Sequence, residues 1–381
     1  MNEKKKHSNF IAWIEKYQVI LIPVITVLMS FIVASVIIML LGKNPLTAFV
    51  NMLQGSGFLP KVKYAGGKSI FTDFLEFVDF WTPLIFASLS VAVALKAGMF
   101  NIGVSGMMLT SGFIATITIG YTNIAAGIAK PLVLVIGVAV GMGIGGFVGF
   151  LKYKFNINEV VSTVMLNYIA EYIISFFIIT KYIDPLTRQS KVINESASLT
   201  IHSVRIWGLK FDIPLAIIVA VLVIFLIKYI LDKTVSGYEI KAIGLNKKAS
   251  LYAGINVKNN IISAFTLSGA LAGMAGVTYY LGYLTSIQPK ALPDMGFNAI
   301  AVAVLGNSNP VGVFFSSLLI SIIGKGSTYM SSSSGLDSEI ASVISGLVIL
   351  FSACGPIIKR RIGLMMIKQE EGKCEDGTNH C

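Results

Sequence analysis

The sequence predicts an all-α polytopic membrane protein of about ten transmembrane helices, some of them short or broken. Three observations lead there. Of 381 residues, 55% are hydrophobic and only 13% charged, against roughly 45–50% and about 25% in a soluble globular chain. The mean hydropathy is +0.77, more apolar surface than one soluble core hides. Seven apolar runs approach the ~20 residues that cross a bilayer: 19–41, 81–97, 131–151, 158–180, 213–231, 261–283 and 339–357. This composition excludes a disordered chain and an ordinary soluble enzyme.

The elements follow in order. Lys4–Lys6 precede the run 19–41, which is too long for a signal-peptide core and lacks a small-x-small cleavage site. It reads as an uncleaved first span after an N-terminal segment, 1–18. Three shorter apolar pieces lie at 107–120, 296–306 and 310–324. At ~1.5 Å per residue the shortest reaches about half of a ~30 Å hydrocarbon core. Such pieces are tolerated where they are buried in protein or line a cavity.

Charge sets direction. The net charge of +11 comes from 30 Lys+Arg against 19 Asp+Glu, and the basic residues keep to loops and termini. Counting all ten pieces as crossings puts Lys4–Lys6, the Lys-rich stretch 232–260 and Lys359-Arg360-Arg361 on one side. The positive-inside rule makes that side cytoplasmic, with both termini inside a cell membrane. The transmembrane domain is then 19–358, followed by a cytoplasmic tail, 359–381. Loops 42–80 and 181–212 lie outside. Anionic lipid accounts for the basic excess; no basic stripe with interleaved aromatics indicates nucleic acid.

Small residues recur at helical spacing. Gly141, Gly145 and Gly149 sit four apart, as do Ser268, Ala272 and Gly276, with Gly269 and Gly273 beside them. Such rows let helix backbones approach closely in lipid.

Signatures of catalysis are missing. His7, His202 and His380 lie at a terminus, in an outer loop and in the tail, and Cys354, Cys374 and Cys381 show no disulfide framework or zinc spacing. No span carries a close carboxylate pair or a nucleophile–base arrangement. Gly67-Lys68-Ser69 resembles the end of a P-loop, but Val62 stands where the first glycine is required and no strand precedes it. No catalytic, metal or ATP site is expected.

Polar residues at membrane depth are costly and therefore informative. Glu159, Thr163, Asn167 and Glu171 recur every four residues, with Ser162 beside Thr163. They share one face turned from lipid, either lining a polar pathway or forming a structural interhelical network. Glu159 can snorkel to the inner interface; Glu171, near mid-span, needs a partner, a cavity or a proton. Three glycines and Asn101 within 98–106 cannot continue a lipid-facing helix, so a broken helix or tight re-entrant turn is expected there. The inner stretch 236–255 is rich in helix formers and divided by Gly244 and Asn246, a stop and a cap. Two short surface helices result. With Lys241, Lys247 and Lys248 exposed beside apolar Ile243, Leu245, Leu251 and Tyr252, they lie on lipid or dock a protein.

Five segments in fixed order carry a resemblance: GMFNIGVSG (98–106), EVVSTVMLNYIA (159–170), GYEIKAIGLNKKASLYAGI (237–255), LSGALAGMAG (267–276) and GFNAIAVAVLGNSNPVG (296–312). Over roughly 20–358 the chain resembles permease subunits of bacterial ABC importers for simple sugars and nucleosides, nearest the nucleoside branch served by basic membrane lipoproteins. The resemblance implies an architecture like that of the vitamin B12 importer (type II). It also makes 237–255 a coupling element seated on a separate ATPase. Gly237, Glu239, Ala242, Gly244, Asn246, Ala249 and Gly254 match that element, with Tyr238 and Tyr252 in the same stretch. ATP and magnesium then belong to the partner ATPase and this chain binds no cofactor. Further partners implied are an extracellular substrate-binding lipoprotein and a second homologous permease, giving a heterodimer. The implied cargo is a nucleoside such as guanosine; ribose-type sugar and branched-chain amino acid importers are alternatives, and an ion-coupled secondary transporter is the rival from another class. The translocation pathway is expected to draw on Asn101, Ser162, Thr163, Asn167, Glu171 and Asn298. Ser105 and Met107 stand where the family usually has Glu and Gln.

Overall fold

The computed structural model describes residues 24–64, 68–206, 209–335 and 339–353. The chain divides into two compact units, 1–46 with 339–381, and 47–338. In the first, the described helices are α1 (Val24–Leu40) and α13 (Glu339–Ala353). Helix α2 (Pro45–Gly55) runs across the boundary into the second unit. The N-terminal segment 1–18 and the tail 359–381 lie outside the described residues.

The second unit is a helical bundle around two elements, α3 (Ile70–Lys96) and α10 (Val257–Thr278). Against α10 lies α5 (Ala126–Phe155), and here the small-residue rows meet. A Cβ on Gly141 would overlap the carbonyl oxygen of Gly269, one on Gly145 that of Phe265, and one on Gly273 that of Gly137. Backbone therefore rests directly on backbone. In lipid this is how helices gain contact, because hydrocarbon supplies no hydrophobic drive between them. Helix α3 joins α10 through the Ser268 hydroxyl, which donates to the Ser90 carbonyl at 2.8 Å.

Each apolar piece expected from the sequence corresponds to a helix, with altered bounds. Helix α3 begins eleven residues before the expected 81, at Ile70, behind a Ser69–Thr72 capping box. Its first turns carry Asp73, Glu76 and Asp79, which disguise it as loop. Each of these carboxylates has a partner: Lys61 on Asp73 (2.7 Å), Lys68 on Glu76 (2.6 Å), and the Thr200 hydroxyl on Asp79 (2.7 Å). Helix α12 (Pro310–Ser334) runs ten residues past the expected 324 and has the length of a full span. Its serine-rich end satisfies its own hydroxyls, as Ser327 and Thr328 donate to the Gly324 and Lys325 carbonyls. Helices α4 (Val104–Ala115) and α11 (Asp294–Leu305) are short, as expected, and α6 (Glu159–Phe177) and α7 (Ala216–Lys233) complete this set. Among the described residues five helices, counting α6 and α10 with their terminal turns, are long and apolar enough to cross a membrane by themselves: α3, α5, α6, α10 and α12.

The helical fold holds, with one small addition: an antiparallel strand pair, β1 (Thr200–Ile206) and β2 (Leu209–Pro214), between α6 and α7. At the same end of the unit, α4, α6 and α10 each finish in a π turn, at Thr116–Gly120, Ile178–Tyr182 and Tyr279–Tyr283. Segment 183–199 ties these turns together. Asn194 donates its backbone N–H to Gly120, Lys191 to Tyr182 and Leu199 to Leu281. Beneath it lies an apolar cluster including Phe113, Ile178, Ile193, Leu199, Val277 and Leu281.

The seam gives a paired test. Gly141→Ala lowers the thermal midpoint of the detergent-solubilised protein, at a cost of about 1–3 kcal/mol for overpacking. Gly143→Ala, whose Cβ meets nothing within 4 Å, leaves the midpoint unchanged or raises it, since alanine is the better helix former. Equal effects at both positions would refute the seam.

Candidate functional site

At the end of the second unit opposite the strand pair, two short helices pack over a helix break whose Asn101 is fully buried. Helix α8 (Val235–Leu245) is capped by Thr234, whose hydroxyl accepts from the Gly237 N–H. Asn246 then serves both sides of a joint. Its N–H closes α8 on the Ala242 carbonyl (3.1 Å), and its side chain caps α9 (Lys247–Tyr252), accepting from Lys248 (3.0 Å) and Ala249 (3.1 Å). Gly254, at φ +79°, turns the chain toward α10. Lys241 pairs with Asp232 at 3.4 Å.

The sequence reading of Gly244 as a helix stop is corrected: α8 runs through it to Leu245. What Gly244 provides is closeness. A Cβ there would overlap the Lys96 carbonyl oxygen, and one on Gly98 would come within 3.0 Å of the Gly244 Cα. Gly98 has φ +69°, a conformation open to glycine. Gly237 rests in the same way on the Ile230 carbonyl. The inward side of α8 also carries buried Ile240 and Ile243, and Glu239, which accepts from the Asn260 amide at 2.8 Å. Ala242 is half-buried, and Ala249 is exposed. Turned outward are Tyr238, Leu245 (88% exposed), Leu251 and Tyr252 (91%). Two small helices thus expose an unusual number of large apolar groups.

Beneath α8 lies the break between α3 and α4, residues 97–103. Asn101 is fully buried; its carbonyl oxygen accepts from the Gly103 N–H (2.9 Å) and its amide donates to Ser268 of α10 (2.9 Å). Asn167 of α6 clamps the other side, accepting from the Gly106 N–H (2.8 Å) and donating to the Ile102 carbonyl (3.0 Å). Ser105 donates to the Pro293 carbonyl at the start of α11 (2.9 Å), and Met107 is buried beside Asn101.

The structure thus brings Asn101 and Asn167 together at one feature. Thr163 packs on Gly103, and its hydroxyl, like that of Ser162, bonds back within α6 to the Glu159 and Asn158 carbonyls. Glu159 pairs with Lys152 across the α5–α6 turn. Glu171 and Asn298 are half-buried and stand apart from this network. Ser90, Ser268 and Pro293 are further members of it. Only Ser268 left a signal, in its small-residue row. Among the described residues no group of three His, Cys, Asp or Glu could hold a metal ion.

Asn167→Leu leaves the buried Gly106 N–H and the partly buried Ile102 carbonyl without their side-chain partner, at roughly 1–3 kcal/mol for a buried unpaired group. A clear fall in the thermal midpoint is expected, whereas Ser162→Ala leaves it nearly unchanged; a wild-type midpoint for Asn167→Leu would show that the clamp carries no weight.

Comparison with known proteins agrees with this architecture. The family described as "Branched-chain amino acid transport system / permease component" matches residues 74–353. A nucleoside ABC transporter permease of Lactococcus lactis is 32% identical over 95% of this chain and 97% of its own length. A guanosine ABC transporter permease of Bacillus subtilis is 32% identical over 92% of this chain and 97% of its own. A glucose ABC transporter permease of Haloferax volcanii is 26% identical, covering 93% of each chain. No solved structure matches. With the family pattern running from the first turns of α3 to the end of α13 and five helices able to span a bilayer, this chain is a multi-pass membrane protein belonging to the branched-chain amino acid transport system / permease component family.

Proposed function

We propose that this chain is the transmembrane permease subunit of an ATP-driven ABC importer that takes up nucleosides, purine nucleosides such as guanosine foremost. The carrying observation is the α8–α9 pair. It presents Tyr238, Leu245, Leu251 and Tyr252 outward, while Gly244 rests backbone-to-backbone on the chain leading into the helix break. A partner that moves α8 therefore pushes directly on the bundle, with no flexible side chain between to absorb the movement. This is what coupling to a separate ATPase requires. ATP and magnesium reside on that ATPase, and this chain carries no ATPase site.

In this reading the α8–α9 end is cytoplasmic, the strand-pair end is extracellular, and ten crossings leave both termini inside. A substrate-binding lipoprotein delivers cargo at the strand-pair end. A second homologous permease completes the pathway, which draws on Asn101, Ser162, Thr163, Asn167, Glu171 and Asn298. Closure of the ATPases biases a two-state bundle between outward and inward access. The nucleoside cargo rests on the two relatives at 32% identity over nearly full length. The glucose permease, at 26%, supports a sugar as the second reading.

The test is uptake of labelled guanosine and glucose into proteoliposomes holding this chain, its partner permease, the ATPase and the binding lipoprotein. ATP-dependent guanosine uptake that survives collapse of ion gradients is expected. Glucose uptake alone would change the cargo, and gradient-driven uptake without the ATPase would overturn the importer class. Tyr252→Asp, on a side chain almost wholly exposed, abolishes co-purification of the ATPase and leaves the thermal midpoint of the chain unchanged. Retained ATPase in that preparation would remove α9 from the contact.

A further inference from the structure

At the strand-pair end, aromatic rings and charges gather within the membrane-spanning helices. The π turn that ends α10 stacks Tyr279 on Tyr283, with ring centroids 6.1 Å apart and planes 30° apart. Phe80 of α3 meets Tyr283 edge-on at 5.4 Å and 73°. The Lys325 ammonium of α12 lies 5.4 Å from the centre of the Tyr283 ring and 3.6 Å from the Glu76 carboxylate. All five side chains are half-buried. They form one connected surface drawn from three helices.

Charge decides what that surface faces. Glu76 and Lys325 belong to helices able to span a bilayer, and ions at such depth avoid hydrocarbon, facing water or protein instead. The open face of α6 shows the contrast: its exposed residues include Val161, Met165, Ile169 and Ile173, a surface suited to lipid. Two further features set the aromatic surface apart. π turns are rare and concentrate at functional positions. Gly324 lies against the Phe80 ring, where a Cβ would come within 3.2 Å of Cζ, so α12 packs closely on the edge of that ring.

Resting on the nucleoside-importer reading, we propose that Phe80, Tyr279 and Tyr283 form a stacking shelf for the base of the incoming nucleoside, with Glu76 and Lys325 holding its ribose hydroxyls. A flat base gains by stacking on an aromatic face. A carboxylate accepts from sugar hydroxyls and an ammonium donates to them. The shelf is the first site on this chain that cargo meets.

The test uses the complete four-component proteoliposomes. Tyr283→Leu and Tyr279→Leu each raise the KM for guanosine uptake about tenfold, a loss within the range for one base stack. Tyr283→Phe stays within about twofold, and basal ATP hydrolysis is unchanged in all three. Photolabelling the wild-type complex with 8-azidoguanosine places label on the peptides containing Phe80 or Tyr279–Tyr283, whether or not the variants assemble. Unchanged KM in both leucine variants, or label confined elsewhere, would overturn the shelf while wild-type guanosine uptake upheld the importer. Absence of guanosine uptake by the wild-type complex would overturn both.

Discussion

The constraint on which the rest of the second unit depends is the backbone of residues 97–106. Inside a bilayer a chain leaving helical conformation frees N–H and carbonyl groups that lipid cannot satisfy. Here each neighbouring element supplies part of the remedy. Asn101 turns its oxygen onto the Gly103 N–H, Asn167 bridges Gly106 and Ile102 from α6, and Ser268 holds Asn101 from α10. Ser105 in turn fastens α4 to the start of α11. Four helices are thereby fixed around α3 by the polar needs of a few residues.

Those bonds dictate the packing. For Ser268 to reach both Asn101 and the Ser90 carbonyl, α10 must lie close to α3. Its neighbouring face accepts α5 at similarly short range through the glycine seam. The polar network and the small-residue rows are two halves of one solution. Large residues at the seam would push α5 off α10, and an apolar Asn101 would leave the break unsatisfied.

What was legible in the sequence follows the same physics. Gly141, Gly145 and Gly149 were readable because helix packing imposes a period, and the break was readable because glycines with an asparagine cannot continue a helix. The start of α3 was not, since Asp73, Glu76 and Asp79 look like loop until their partners at Lys61, Lys68 and Thr200 are known. The strand pair carries a different signal, Leu209, Phe211 and Ile213 alternating with Lys210 and Asp212, which long apolar runs do not display. For Gly244 the local signal misled: a glycine near a helix end looks like a terminator, whereas its role is contact with residues 96–98, nearly 150 positions earlier. Of the proposed pathway residues, Asn101 and Asn167 proved joined through the break, a relation that no spacing within one helix could reveal.

The two ends of the second unit are built from different materials, and that difference bears on how such a bundle switches. Around Gly98 and Gly244 the contact is backbone on backbone, the stiffest link a protein offers, because neither partner has a rotamer to change. At the other end, the π turns closing α4, α6 and α10 leave carbonyls that the single segment 183–199 gathers through Gly120, Tyr182 and Leu281. A displacement entering by α8 meets a rigid joint at once and is passed to α3 and α4. The far ends of α4, α6 and α10 are linked through one strap, so they respond to it together rather than separately. Rigid at α8 and strapped at the strand-pair end, the helices are linked to move as a set, which is what alternation between two discrete arrangements would require of the proposed importer.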